Sequence, residues 1–587
     1  MPAVYSLARL GVGLLILAMM SKDIVRAQVR NRFGIEVPMR DGIRLVADAW
    51  MPDGDGPFPA IVMRTPYQRT LELVSGNRPP EVGEYFARRG YVWIIQDTRG
   101  RGDSEGTFTF FHDDAKDGHD TIEWIARQSW SNGRVCTMGV SYMGTVQWLA
   151  AREKPPHLVC MASTAAAGRW FDEVPYIGGA FQLQFMLGWT NATAGRMYQR
   201  ANAVAVDWNR VYRHLPLLTM DERVGRRTPV WRSFHEHAAL DDYWEPLQFE
   251  APRDFVSLSL PALHITGWFD WDQPGALFYW KGMRRHSPAR ADQFLLVGPW
   301  THPQTWTGGA ASLGEWRFGA ESIVDYKPIH LAFFDRYLKQ TASAFTFPRA
   351  RVYVTGTNEW RDFAEFPPPG IRMERWYLAS GGRANSLSGD GRLSRSGPDA
   401  APPDRFKYDP ADPVPSTVSG ADPRGIDHQS IERRDDVLVY TSEILNDTLT
   451  IAGPVFVTLT AATDGRDTDW TAKLLDVGPD RRALKLGPTE VGVIRARYRQ
   501  GYRAPKLLDP GEVHVYRIEL FDIAHAFLPG HRVRLEVSSS AFPFIDANPN
   551  TGNRVATDTT RRAATQTIYH DRDRISFVEL PVLDKEH

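Results

Sequence analysis

Cysteine is almost missing from this chain: two residues, Cys136 and Cys160, in 587. Two cysteines cannot staple a small disulfide scaffold, and each lies inside an apolar, strand-like run. Both therefore read as small buried hydrophobes. An excess of charge of one sign is missing too, since 69 Lys and Arg stand against 70 Asp and Glu. With no long basic run either, the electrostatic footprint of a nucleic-acid binder is excluded. The longest N-terminal apolar run, residues 10–20, is too short to cross a bilayer comfortably, so no stable membrane span is expected. Internal repeats and low-complexity tracts are absent as well.

What is present is a long, ordinary globular composition, 43% apolar and 24% charged. A chain of this length exceeds one hydrophobic core and implies two or three domains. Nineteen Trp, 29 Phe and 20 Tyr supply large cores and large apolar pockets. Residues 1–27 have the form of a secretory signal: Arg9, the apolar run, then Val25-Arg26-Ala27 with small residues at the cleavage positions. Export to the periplasm or medium is the expectation; a mis-assigned start would leave the protein cytoplasmic. Oligomeric state stays open.

From residue 28 to 167, strand-like and helix-like segments alternate. Ala60-Ile61-Val62-Met63-Arg64 and Tyr91-Val92-Trp93-Ile94-Ile95 are continuous apolar runs of the kind found in parallel sheets covered on both faces. The alternation lapses over 168–252, an aromatic-rich stretch expected to form an inserted helical cap. It resumes over 253–342 with Ala262-Leu263-His264-Ile265-Thr266 and Phe294-Leu295-Leu296-Val297. Beyond 343, strands such as Arg351-Val352-Tyr353-Val354 and Val455-Phe456-Val457-Thr458 are separated by Gly/Pro/Asp loops. The expected architecture is an α/β-hydrolase fold with a helical cap, then an all-β jelly-roll sandwich over 343–587. The Pro/Gly/Ser/Asp-rich segment 381–427 is expected to be a mobile loop.

Within the first domain, Gly139-Val140-Ser141-Tyr142-Met143-Gly144 joins an apolar strand to a helix. A serine in so tight a turn reads as a nucleophile elbow, with the helix N-terminus directed at the developing negative charge. The second glycine falls one place later than in the usual G-x-S-x-G. A serine nucleophile needs a base, and the base an orienting carboxylate. The strand at Ala262 ends in Gly267-Trp268-Phe269-Asp270, and the strand at Phe294 ends in Gly298-Pro299-Trp300-Thr301-His302. Ser141, Asp270 and His302 thus arrive in the order an α/β-hydrolase requires, each after a buried strand. Asp272 comes too late, His264 lies inside a strand, and His286 sits at a helix end. Tyr142 N–H supplies one oxyanion donor by position. The loop Arg64-Thr65-Pro66-Tyr67 has no glycine run, so its candidate donor is the Tyr67 hydroxyl.

These motifs, with Asp97-Thr98-Arg99-Gly100-Arg101-Gly102-Asp103-Ser104-Glu105-Gly106, Trp130-Ser131-Asn132-Gly133 and Asn548-Pro549-Asn550-Thr551-Gly552, resemble the cocaine esterase / X-prolyl dipeptidyl-peptidase family over nearly the whole chain. The late glycine is that family's own spelling, Ser-Tyr-x-Gly. The resemblance implies a triad of Ser141, Asp270 and His302, and an oxyanion hole of the Tyr67 hydroxyl and Tyr142 N–H. It also implies acyl-pocket walls from Tyr176, Phe185 and Trp189, with Trp271 beside them, and no cofactor. Asp272 resembles one position of the acidic cluster in α-amino-acid ester hydrolases, though Gln273 stands where a second acid is expected; capping the following helix is its alternative role. The expected substrate is a small-molecule ester or amide. Open alternatives are an α-amino-acid ester hydrolase or β-lactam acylase, an X-prolyl dipeptidyl-peptidase, and a non-catalytic glycan- or surface-binding protein.

Two metal-like clusters carry no metal expectation. His112, Asp113, Asp114, Asp117, His119 and Asp120 surround a helix start, where acids suit the macrodipole. The stretch from Asp546 to Asn550 imitates a calcium loop, but Pro549 intrudes and Thr557 stands where the bidentate Glu belongs.

Overall fold

The computed structural model describes residues 28–70, 79–199, 206–341, 345–416 and 426–584; the expected signal segment, 1–27, lies outside them. Ten strands of the described residues form one sheet: β1 (Val29–Pro38), β2 (Arg44–Pro52), β3 (Phe58–Thr65), β4 (Val92–Asp97), β5 (Ser131–Val140), β6 (Leu158–Thr164), β9 (Ala262–Phe269), β10 (Gln293–Thr301), β13 (Ala350–Val354) and β14 (Glu359–Phe363). Between them fall two short hairpins, β7 (Tyr176–Ile177) with β8 (Ala180–Phe181), and β11 (Ser312–Leu313) with β12 (Trp316–Arg317). The sheet order is β1-β2-β4-β3-β5-β6-β9-β10-β13-β14. From β4 to β13 every neighbour is parallel.

The continuous apolar runs follow from that arrangement. Successive residues of a strand point to opposite faces, and here both faces are covered. Val62 and Ile94 go to one core, while Ile61, Trp93 and Ile95 go to the other. Helices α1 (Pro79–Ala87), α2 (Asp114–Ala126) and α3 (Tyr142–Arg152) pack on the sheet, and α4 (Leu183–Ala192) lies in the cap. Over 168–252 the chain makes short helices and the β7–β8 hairpin, packed around Trp170, Trp231, Phe234 and Trp244.

Three expectations change. Cys136 and Cys160 are not independent hydrophobes: β5 and β6 place them as direct partners, their Cα atoms are 4.8 Å apart, and they are disulfide-bonded. Both side chains are fully buried, as the apolar runs implied. The bond closes a loop of 24 residues, for which chain entropy gives about 3 kcal/mol. Replacing both cysteines with alanine is expected to lower the urea midpoint accordingly; an unchanged midpoint would contradict that contribution. Second, the strand at 350–354 is not the first of the sandwich. It pairs in parallel with β10 and extends the hydrolase sheet. Third, the segment 381–427 is not simply a loop: Arg392–Ser394 and Asp404–Tyr408 are strands, the latter paired with Ala564–Tyr569.

The β-rich domain has a twelve-strand sheet system among the described residues, centred on the long pairing of Leu449–Thr463 with His514–Phe527. It grips the hydrolase domain through polar contacts. Lys281 meets Asp522 at 2.5 Å, Arg169 meets Glu519 at 2.8 Å, and Gln273 Nε2 donates to the Asp522 carbonyl at 2.7 Å. Asp546 accepts from Phe181 N–H at 2.8 Å and so ties the cap hairpin to the sandwich. Arg495 braces Asp546 from behind, with Asp469. That network accounts for Asp546, the one acid of the calcium-like stretch.

Candidate active site

The turn after β5 is as tight as the sequence implies. Ser141 sits at φ +63°, ψ −128°, a strained conformation for a non-glycine residue. Ser141 N–H is held by the Thr164 carbonyl at 3.0 Å, and its own carbonyl accepts from Gly144 and Thr145 as α3 begins. Small neighbours permit this. A Cβ on Gly139 would stand 2.6 Å from Met143 Cβ, and one on Gly144 would stand 2.5 Å from the Thr164 carbonyl oxygen. The late glycine is therefore needed for the approach of α3 to β6, not for the turn itself.

β5, β9 and β10 end at the same sheet edge and bring Ser141, Asp270 and His302 together. His302 Nε2 lies 2.9 Å from Ser141 Oγ, and His302 Nδ1 lies 2.7 Å from Asp270 Oδ1. Asp270 is fully buried and further fixed: Thr266 Oγ1 donates to its Oδ2 at 2.8 Å, and Asp272 N–H donates to its Oδ1 at 3.0 Å. With Nδ1–H directed at Asp270, Nε2 is left as the ring nitrogen free to accept a hydrogen bond from Ser141 Oγ. Trp271 stacks on the His302 ring, centroids 4.6 Å apart.

Tyr67 stands over the serine. Trp189 Nε1, from α4 of the cap, donates to the Tyr67 oxygen at 3.1 Å, and Ser141 is near enough to favour the ionised phenol slightly. Burial pushes the Tyr67 pKa well up, so the phenol keeps its proton and remains a donor. The loop that carries it is braced by Arg101, whose Nε donates to the Pro66 carbonyl at 2.7 Å and whose Nη1 donates to the Thr193 carbonyl at 2.6 Å. Tyr142 N–H opens α3 beside Ser141.

The expected pocket residues part company. Phe185 packs on Trp271 at 5.1 Å, and Trp189 holds Tyr67, so both stand at the site. Tyr176 does not: its hydroxyl donates to the Phe234 carbonyl at 2.8 Å, and its ring packs on Phe171, Phe181 and Trp244 in the cap core. Asp272 makes no side-chain cap on the helix Gln273–His286, so the capping role falls away. It is buried, its Oδ2 lies 3.7 Å from His302 Nδ1, and its Oδ1 has no hydrogen-bond partner among the described residues. Burial and the nearby carboxyls of Glu173 and Asp270 push its pKa well up.

Glu173 was missed in the sequence. It accepts from the N–H groups of Gly168, Arg169 and Gly275 at 2.8–2.9 Å, yet burial still raises it to about 8. Its only sequence signal is an acid in an aromatic stretch, Trp170-Phe171-Asp172-Glu173-Val174. Gly275 leaves the room: a Cβ there would stand 2.6 Å from Glu173 Oε2.

A parallel sheet of this order, crossed at its C-terminal edge by a strand–serine–helix elbow, defines a hydrolase of the α/β-hydrolase fold. Comparison with known proteins narrows the class. The X-Pro dipeptidyl-peptidase (S15) profile matches residues 41–304, and the profile of the X-Pro dipeptidyl-peptidase C-terminal non-catalytic domain matches 344–579. Cocaine esterase from Rhodococcus sp. is 35% identical over 578 residues, covering 94% of this chain and 98% of that protein. Among solved structures, an α-amino acid ester hydrolase superposes with a TM-score of 0.83 at 27% identity, covering 96% of this chain and all of that one. An aminopeptidase from a marine sediment Thaumarchaeota archaeon gives 0.83 at 26% identity, covering 95% and 97%. The chain belongs to the X-Pro dipeptidyl-peptidase (S15) family.

Proposed function

We propose that this protein hydrolyses carboxylic ester or amide bonds of small molecules through an acyl-enzyme on Ser141. The observation that carries this is the continuous hydrogen-bond chain Asp270–His302–Ser141. His302 Nε2 takes the Ser141 proton as Oγ attacks the carbonyl carbon. The tetrahedral oxygen is met by the Tyr67 hydroxyl and Tyr142 N–H. His302 then returns the proton to the leaving alcohol or amine. Water, deprotonated by the same nitrogen, attacks the acyl carbon and frees Ser141. A panel of aryl and alkyl esters and anilides, with Ser141→Ala as the blank, tests this. Hydrolysis that persists in the blank would contradict it.

A second reading concerns the acyl group. Asp272 and Glu173 are two buried carboxyls; burial raises both pKa values, and the charge of Glu173 raises Asp272 further. Such a pair holds a proton that an arriving ammonium group can replace, and Asp272 Oδ1 offers an unused acceptor. This supports acceptance of substrates with a free α-amine. The relatives' names fall on both sides, an esterase of cocaine against an α-amino acid ester hydrolase and an aminopeptidase. Asp272→Asn is expected to lower kcat/KM for phenylglycine methyl ester by about ten- to a hundredfold, the worth of one charge-assisted hydrogen bond. Hydrolysis of the des-amino ester should change little. Equal effects on both esters would contradict amine recognition.

Export is the compartment we infer. It is supported by the form of residues 1–27 and by the Cys136–Cys160 disulfide, which suits an oxidising environment. No helix of the described residues is long and apolar enough to cross a membrane.

A further inference from the structure

Beside the elbow, centred on the Tyr142 side chain, lies a buried polar network that the mechanism above does not use. The Tyr142 hydroxyl donates to Asp114 Oδ2 at 2.5 Å and accepts from Phe111 N–H at 3.2 Å. Asp114, the first residue of α2, pairs through Oδ1 with Arg64 Nη2 at 2.9 Å, and its carbonyl accepts from Arg64 Nη1 at 2.9 Å. Arg64 Nε reaches Gln96 Oε1 on β4 at 3.0 Å. Arg64 stands near the end of β3, three residues before Tyr67. One buried chain of bonds therefore joins the residue whose N–H is one oxyanion donor to the strand whose loop carries the other.

Two further features show that this arrangement is held at a cost. Phe110 and Phe111 both have positive φ, +37° and +67°, where bulky side chains are rarely found. That turn aims Phe111 N–H at the Tyr142 oxygen and lays the Phe111 ring on the Tyr142 ring, centroids 3.9 Å apart and 17° from parallel. Strain of this kind persists only where the surroundings fix it. Helix α2 must also come close. A Cβ on Gly118 would stand 2.5 Å from Ala150 Cβ on α3 and 3.1 Å from Arg64 Nη1. A buried Arg–Asp pair is a poor source of stability compared with well-packed hydrophobes, whereas it can fix geometry. Burial beside Asp114 drives the Tyr142 pKa well up, so its hydroxyl stays a donor.

We propose that Asp114 is a positioning residue for the oxyanion hole, fixing Tyr142 through its hydroxyl and the Tyr67 loop through Arg64. The proposal rests on the acyl-enzyme reading above. It also gives a reason for tyrosine at the position after the nucleophile: its side chain anchors the backbone N–H that does the work.

Tyr142→Phe keeps the ring, the stack and the N–H, and removes only the anchor. It is expected to lower kcat about tenfold with KM within twofold, less than the loss of a donor itself. Affinity for a phenylboronic acid, which forms a tetrahedral adduct on the serine, should fall by the same factor. Asp114→Ala should behave alike, and the double variant no worse than Asp114→Ala, because both act along one chain of bonds. A Tyr142→Phe protein with wild-type kcat and boronate affinity would overturn the proposal, as would a lowered Tm with boronate affinity unchanged. Full activity in Ser141→Ala would instead sink the acyl-enzyme reading, so the two failures are distinguishable.

Discussion

Ser141→Ala is expected to lower kcat by about 10⁵–10⁶-fold on every ester the protein hydrolyses, as loss of a triad serine does elsewhere. KM should move little, since Oγ contributes nothing to holding the ground state. His302→Ala should cost about as much, and the double variant scarcely more than either single. That non-additivity follows from the geometry. Oγ at 2.9 Å from Nε2 is a nucleophile only while that nitrogen can take its proton, and the nitrogen is useful only for that proton. Additive losses would mean that the two residues serve separate steps. Asp270→Asn should lose less than Ser141→Ala: with the amide oxygen accepting from Thr266, its NH2 faces His302 Nδ1 and favours the wrong tautomer while the nucleophile and base remain.

The second large effect falls on Tyr67. Tyr67→Phe is expected to reduce kcat about 10²–10³-fold with KM nearly unchanged, the usual consequence of losing one oxyanion donor. The ring can stay where it is, packed between Tyr198 and Trp306. Only the hydroxyl goes, so a loss in kcat without a loss in stability isolates its role in the transition state. Trp189→Phe removes the donor that orients the Tyr67 oxygen and should give a smaller loss in the same direction. A Tyr67→Phe variant within threefold of wild type would leave Tyr142 N–H as the sole oxyanion donor and would contradict the two-donor hole.

The elbow, Asp270 and His302 were legible because each is a local event. An apolar strand ends, a turn follows, and the candidate side chain is the first polar group past the sheet edge. Tyr67, two residues past β3, was a candidate by position that the family resemblance favoured. What the sequence hid depends on which strands lie side by side. Cys136 and Cys160 each look like core residues, and only the adjacency of β5 and β6 makes them a bond. The strand at 350–354 has the same alternation whichever sheet receives it, and it joins the hydrolase sheet through β10. Glu173 and Asp272 are 99 residues apart in sequence, and their coupling exists only through space. Tyr176 was assigned to the pocket by likeness of position. Its hydroxyl is taken by the Phe234 carbonyl instead, a bond no local pattern announces. Asp114 was noticed as part of an acid-rich helix start. Its partner Arg64, fifty residues earlier, gives it a different meaning.

The central claim is that Ser141, and no other serine, carries the acyl group. Reaction with a fluorophosphonate ester followed by peptide mass mapping tests it directly. One phosphonyl adduct per chain is expected, on the peptide containing Gly139-Val140-Ser141-Tyr142, absent in Ser141→Ala and strongly slowed in His302→Ala. An adduct on a different residue, or labelling that survives Ser141→Ala unchanged, would contradict it.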